Sequence, residues 1–321
     1  MDGSIARPRP YLALGLRLLS AFAMATKAML VKYAADHGAN VIELIFWRQL
    51  AIFVLLGAGL AAFGKLAMLK TNRLASHGKR AVAGLIGVTS IYGAVLLLPL
   101  AEATTLSFTS PIFAVLIAVV LFREKIGLIR GSALVIGFLG VFVLMQPGFA
   151  SFGSAGSQIS LLGIGVALFA AFMVPLISYQ IQDLNTTENP WSIVFWFAAL
   201  SIPILIFAMP FVMAPHDTTT WLLIAAMALC GVVAQLLLTL SLRFGSAGVV
   251  LLMDYTGLLW AITYGYLVFD QGAPASLWLG APLIVGAGLM IAYREKLRKQ
   301  IASKKAAHSA HEPAKQLMQA R

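Results

Sequence analysis

Apolar residues run through this chain in long blocks separated by short polar joints, and the blocks show neither the alternation of a strand nor a heptad repeat. Runs of about 18 or more such residues read as membrane-crossing helices, because a helix rising about 1.5 Å per residue needs about 20 to span a 30 Å core. Ten runs fit, near residues 11–33, 40–63, 81–99, 101–122, 128–147, 159–181, 191–211, 219–240, 246–269 and 276–293. The joints near Leu100 and between Phe244 and Ser246 are so short that the helices they connect must run antiparallel. Barrel strands would alternate over about ten residues, which these runs do not. The expected fold is therefore all-α: a polytopic membrane protein with ten transmembrane helices. The first run follows Arg7 and Arg9 as a signal peptide would, but the nine runs behind it make it a first span.

Composition agrees with that pattern. Of 321 residues, 60% are hydrophobic and only 11% are charged. A soluble domain carries about 25% charged residues to cover its surface. The distribution of charge then orients the helices. If both termini and the even-numbered joints share one side, that side holds 19 of the 23 Lys and Arg residues, Lys79, Arg80, Arg123 and Lys125 among them. The other joints hold none, and Arg17, Lys27, Lys32 and Arg48 fall within the first two spans. The excess of positive charge on cytoplasmic loops places both ends in the cytoplasm and the chain in the cytoplasmic membrane. The tail from 294 to 321 carries eight basic and two acidic residues, which suits contact with anionic lipid rather than nucleic acid. One cysteine, Cys230, excludes an internal disulfide, and the five histidines fall in expected loops or the tail without the spacing of a zinc site. No metal, cofactor or phosphate-binding glycine loop is expected, and no nucleophile motif suggests an enzyme.

The chain also repeats itself. Phe46-Trp47 in the second span returns as Phe195-Trp196 in the seventh. The fourth span runs from Ala101 to Glu124 and the ninth from Ala247 to Asp270, with Pro111 and Gly257 at the same register. Gly131 and Gly137 answer to Gly280 and Gly286 in the spans that follow. Each copy has five spans, so the second enters the membrane from the opposite side. The expected organisation is a cytoplasmic segment 1–10, a first repeat 11–147, an extracytoplasmic linker 148–158, an inverted second repeat 159–293 and the basic tail. Inverted repeats are the architecture of many secondary carriers, with solute held near the midplane between them. A non-transporting membrane scaffold is the alternative of another class.

The stretch ATTLSFTSPIFAVLIAVVLFREKIG with Gly131 and Gly137, and the FWRQ at Phe46–Gln49, resemble the drug/metabolite transporter superfamily in its EamA-type ten-helix branch. The likeness covers residues 11–295, departing where Asp270 stands in place of the span-ending glutamate of the first copy. It implies proton-coupled or facilitated transport of a small organic solute, with members carrying amino acids, riboflavin-like vitamins, nucleoside-derived compounds or amphiphilic drugs.

Charges inside spans are costly and mark function by default. Arg17, Lys32 and Glu43 lie near span ends and are expected at the headgroups. Lys27, Arg48 and Asp254 lie deeper. Arg48 and Asp254 are each about 12 Å inside, from opposite faces, so their side chains can meet near the midplane. Such a set suits a zwitterion: cation to carboxylate, Asp254 to ammonium or to a coupling proton. A buried structural ion pair is the competing reading. Thr104, Ser107 and Pro111 share one face of the fourth span, and Tyr92, Tyr179, Gln235, Trp260 and Tyr264 are further candidates to line a cavity. Pro111, Gly257, Glu124 and Asp270 are candidate hinge or gate positions. An amino-acid-like solute comes first, and a riboflavin-like or adenosyl compound is the alternative.

Overall fold

Where apolar runs meet a capping residue, helices start. In the computed structural model, which describes residues 10–122, 128–150, 160–244, 256–291, 293 and 297, Asn40, Ser160 and Asn189 each accept a backbone N–H at the beginning of a helix. The helices are α1 (Pro10–Asp36), α2 (Val41–Ala62), α3 (Leu74–Leu97), α4 (Leu100–Ser107), α5 (Ser110–Phe122), α6 (Leu128–Ala150), α7 (Leu161–Asn185), α8 (Pro190–Val212), α9 (Thr218–Phe244), α10 (Thr256–Phe269) and α11 (Ala275–Ile291). A short 3-10 turn, Leu66–Leu69, links α2 to α3. No strand occurs among the described residues.

Seven segments are long and apolar enough to cross a membrane, and Gly131–Leu144, Thr256–Phe269 and Ala275–Ile291 are shorter apolar helices. Large apolar side chains face outward along them, such as Phe207, Phe211, Leu222 and Leu259. In water such a surface would be an aggregation liability; in a bilayer it is the lipid-facing wall. The chain is a multi-pass membrane protein.

Several ends differ from the sequence reading. α1 runs three residues beyond 33, α6 runs past 147 to Ala150, and α3 begins at Leu74 rather than 81. The extra turns of α3 carry His77 and Arg80, which had been placed in a joint. They are accommodated because neighbours receive them: fully buried His77 sits 3.9 Å from Glu188, and the Arg80 guanidinium lies 4.4 Å over the Phe197 ring. The fourth span is two helices. At Phe108 and Thr109 the bonds tighten to Phe108 N–H to Thr105 and Thr109 N–H to Leu106, and α5 restarts with Pro111 in its first turn, where a missing N–H costs nothing.

The helices pair in a regular way. α1 packs most closely on α9, α3 on α7 and α2 on α8, while α4 meets both α7 and α10. α6 and α11 touch through glycine: a Cβ at Gly280 would lie 2.8 Å from the Gly140 carbonyl oxygen, and one at Gly140 would lie 3.0 Å from that of Gly280. The main core gathers Leu44, Ile45, Leu98, Leu100, Met227 and Ile284 between these helices.

Candidate functional site

On α1, Arg17, Ser20, Met24, Lys27 and Val31 recur every three or four residues and so share one face. That face, with α3, α4 and the start of α5, and an alanine-rich face of α7 (Ala167, Ala170, Ala171), encloses a cavity of about 450 Å³. Small side chains on α7 leave the space open, and Gly257 of α10 and Leu238 of α9 reach its wall. The volume suits a small organic molecule.

The break in the fourth span stands at this cavity. Thr104 and Ser107 line it, with their hydroxyls donating to the carbonyls of Leu100 (2.7 Å) and Thr104 (2.6 Å). Each hydroxyl oxygen keeps acceptor capacity towards the cavity. Irregular backbone at membrane depth is tolerated where it is buried in protein or lines a cavity, and here it does the latter.

Lys27 projects into the same space. Its Nζ lies 3.6 Å from the Met24 sulfur and 5.7 Å from the centre of the Tyr92 ring, both weak partners for an ammonium. Tyr92 lines the cavity, 2% exposed, with its hydroxyl towards the Met227 sulfur at 3.8 Å. Arg48 stands behind Lys27 rather than in the wall. A Cβ on Gly231 would come within 3.5 Å of Lys27 Cδ and 3.6 Å of Arg48 Nε, so the two cations close over that glycine. The Nε and Nη1 of Arg48 are buried and have no hydrogen-bond partner, and neither amide atom of the fully enclosed Gln49 has one.

The remaining expected residues are scattered. Tyr264 shares a 2.8 Å hydrogen bond with Thr26, and Trp260 meets Phe22 edge-on at 4.8 Å, so both stand in the seam between α1 and α10 rather than in the cavity wall. Tyr179 and Gln235 are half-buried and also off the wall. Pro111 opens α5 just past the cavity, and Asp270 ends α10 with a left-handed φ of 50°. Asp254 and Glu124 lie outside the described residues.

Three charges expected at the headgroups are buried instead. Arg17 is 4% exposed and lines the cavity. Lys32 is enclosed because its Nζ donates to the carbonyls of Val95 (3.1 Å) and Leu98 (2.5 Å), capping the C-terminal end of α3. Glu43, fully buried, sits 2.8 Å from Nε2 of His216 and accepts from the Trp47 indole at 3.4 Å. The sequence reading missed Arg17 and its neighbour Ser20 as wall residues; their spacing from Lys27 along α1 is the signal that marks them.

Comparison with known proteins supplies the context. The model of the EamA-like transporter family matches residues 11–146. The riboflavin transporter of Rhizobium johnstonii is 30% identical over 73% of this chain and 76% of its own length. That of Vibrio cholerae serotype O1 is 29% identical over 68% and 71% respectively. The pseudopaline exporter CntI of Pseudomonas aeruginosa is 27% identical over 88% of this chain and 96% of its own. One solved crystal structure superposes with a TM-score of 0.55 at 19% identity, covering 88% of this chain and 96% of that one, and so shares the fold. An all-helical membrane chain with a solute-sized cavity at a broken helix, similar along most of its length to such proteins, belongs to the EamA-like transporter family of the drug/metabolite transporter superfamily and is a membrane transporter.

Proposed function

We propose that the chain is a secondary carrier that moves a small organic metabolite across the cytoplasmic membrane by alternating access. It has ten spans in two inverted five-helix repeats, 11–147 and 159–293, with both ends in the cytoplasm. The observation that carries the reading is the cavity beside the break at Phe108–Thr109. A discontinuous helix at membrane depth is where carriers hold solute.

The packing supports the repeat. Let α1, α2, α3, α4 with α5, and α6 stand for α7, α8, α9, α10 and α11. The pair α1 with α9 then becomes α7 with α3, and α2 with α9 becomes α8 with α3, all of which are in contact. The pairs α2 with α8 and α4 with α10 map onto themselves. Even the glycine contacts exchange: Gly231 lies against Arg48, and Gly84 lies against Phe197, the residue that answers to Arg48.

In the carrier, Lys27, Tyr92, Thr104 and Ser107 contact solute, Arg48 backs Lys27, and Pro111 and Gly257 act as hinges. An amino-acid-like solute uses Lys27 or Arg48 for its carboxylate and Asp254 for its ammonium, or Asp254 carries a coupling proton. The second reading is a heteroaromatic compound such as riboflavin, favoured by the relatives named as riboflavin transporters. Purified full-length protein in sealed vesicles should equilibrate a labelled solute without ATP. Failure across amino acids, riboflavin and nucleosides removes the carrier reading.

A further inference from the structure

Two cations with no ion pair among the described residues come together beside one cavity: Lys27 on α1 and Arg48 on α2. Arg17 and Lys27 are in the wall. A Cβ on Gly231 would lie 3.5 Å from Lys27 Cδ and 3.6 Å from Arg48 Nε, so the two side chains run side by side. The Nε and Nη1 atoms of Arg48 and Arg80 are buried without a hydrogen bond. Buried charges are stable only when they are paired and hydrogen-bonded, and those retained inside a membrane mark a solute or ion path.

The described carboxylates do not answer this charge. Glu43 is taken by His216 and Trp47, Glu188 by Thr71 and His77, and Asp183 by Arg73. Asp217 accepts from Thr220, Asp36 and Glu102 act on Lys32, and Asp270 is exposed at the end of α10. Among the described residues neither Lys27 nor Arg48 has a carboxylate partner. The rest of the wall is apolar apart from Arg17 and hydroxyls, which leaves Lys27 and Arg48 open to a negative charge that arrives with the solute.

Resting on the carrier reading, we infer that the solute is an organic anion, whose carboxylate or phosphate group is held at Lys27 and Arg48 while its apolar body lies along the alanine face of α7. Tyr92, Thr104 and Ser107 line the same wall, and the Thr104 and Ser107 hydroxyls, which donate to the carbonyls of Leu100 and Thr104, would have to turn to donate to the acid group. A guanidinium presents a planar fork to such a group and an ammonium adds a compact point charge, so the two complement each other on one acid group.

Three probes with one phenyl body separate the possibilities: 3-phenylpropionate, its neutral amide, and 3-phenylpropylamine. They are titrated against the thermal unfolding of the purified full chain in neutral detergent. The acid should protect at about one tenth of the amide concentration or less, and the amine should not protect. Lys27→Gln should erase the preference for acid over amide, weakening protection by the acid about tenfold or more, and should unfold without solute at or above the wild-type temperature, because it relieves repulsion. Arg48→Gln is read in the same way. Equal protection by acid and amide, no protection by the acid, or a preference that survives in both variants overturns the proposal. Phosphatidylglycerol protecting wild type but not Lys27→Gln, where the acid does not protect, would assign the site to a lipid phosphate and overturn a free solute. Uptake into vesicles is read on the same preparation. Acid protection without any uptake keeps the anion site and removes the carrier, whereas uptake of the amide or amine alone keeps the carrier and removes the anion.

Discussion

Charges inside a span looked alike in the sequence and differ in what receives them. Lys32 reaches two carbonyls at the end of α3, Glu43 meets His216, Arg80 lies over Phe197, and Lys27 meets little more than a thioether and an aromatic ring. Distance from the span end placed Lys32 and Glu43 at the headgroups, because a single sequence does not show which other helix offers a partner. Lys32→Met should lower the unfolding temperature, the loss of hydrogen bonds to a charged group costing about 1.5–3 kcal/mol, and should leave solute affinity at the wild-type value. Differential scanning of the detergent-solubilised variant checks the first, and an unchanged temperature would mean that Lys32 does not cap α3. Lys27 lines the cavity, whereas Trp260 and Tyr264, drawn to it in the sequence by their aromatic character alone, pack between α1 and α10.

Helices carry the next level of information. Their existence was legible from apolar runs, and the disturbance of the fourth span was legible from Pro111, although its form, a tightened turn at Phe108–Thr109, depends on the Thr109 hydroxyl bonding back to Leu106 at 2.7 Å. Close contacts between helices were less legible, since only a neighbour's backbone tells a packing glycine from an idle one. Gly280→Val should destabilise by about 1–3 kcal/mol through overpacking against the Gly140 carbonyl. Gly257→Ala meets nothing within 4 Å and should keep or raise the unfolding temperature; similar losses in both variants would deny the α6–α11 contact its special role. At the start of α9, Asp217 Oδ1 accepts from the Thr220 hydroxyl at 2.5 Å and from its backbone N–H at 2.9 Å, which hold the carboxyl below the usual range. A carboxylate whose folded pKa is depressed adds stability above its unfolded pKa and loses it as pH falls through the lower folded value. Asp217→Ala should therefore unfold earlier than wild type near neutral pH and converge with it in acid. A constant gap across the pH range would mean that the charge is irrelevant to the cap.

At the scale of the molecule, two buried histidine–glutamate contacts occupy opposite ends of α2 and α8. Glu43 lies in the first turn of α2, and the segment after that helix leads into α3, where His77 faces Glu188. With 22 residues α2 is about 33 Å long, and the two contacts lie towards its opposite ends. A duplicated tryptophan attends each: Trp47 meets Glu43 and Trp221, and Trp196 donates to the Leu69 carbonyl and stands 6.3 Å from His77. The recurrence of Phe-Trp at Phe46–Trp47 and Phe195–Trp196 is legible in the sequence, but the pairs are not, because neither histidine has its glutamate within reach along the chain. In the proposed orientation Glu43–His216 closes the outer end and His77–Glu188 the inner end. Carriers that alternate between two states respond in opposite directions when opposite closures are weakened, because each change shifts one equilibrium. Ser107→Cys in a Cys230→Ala background places the thiol in the cavity wall, where a membrane-impermeant reagent added outside labels it only in the outward-open state. Glu43→Gln should raise the labelling rate and Glu188→Gln should lower it, each by a few-fold, since about 1 kcal/mol shifts a two-state ratio about fivefold. A change of the same sign in both variants would show that the contacts merely hold the fold together, whereas opposite signs would make the two ends of the bundle a coupled pair of closures around one site.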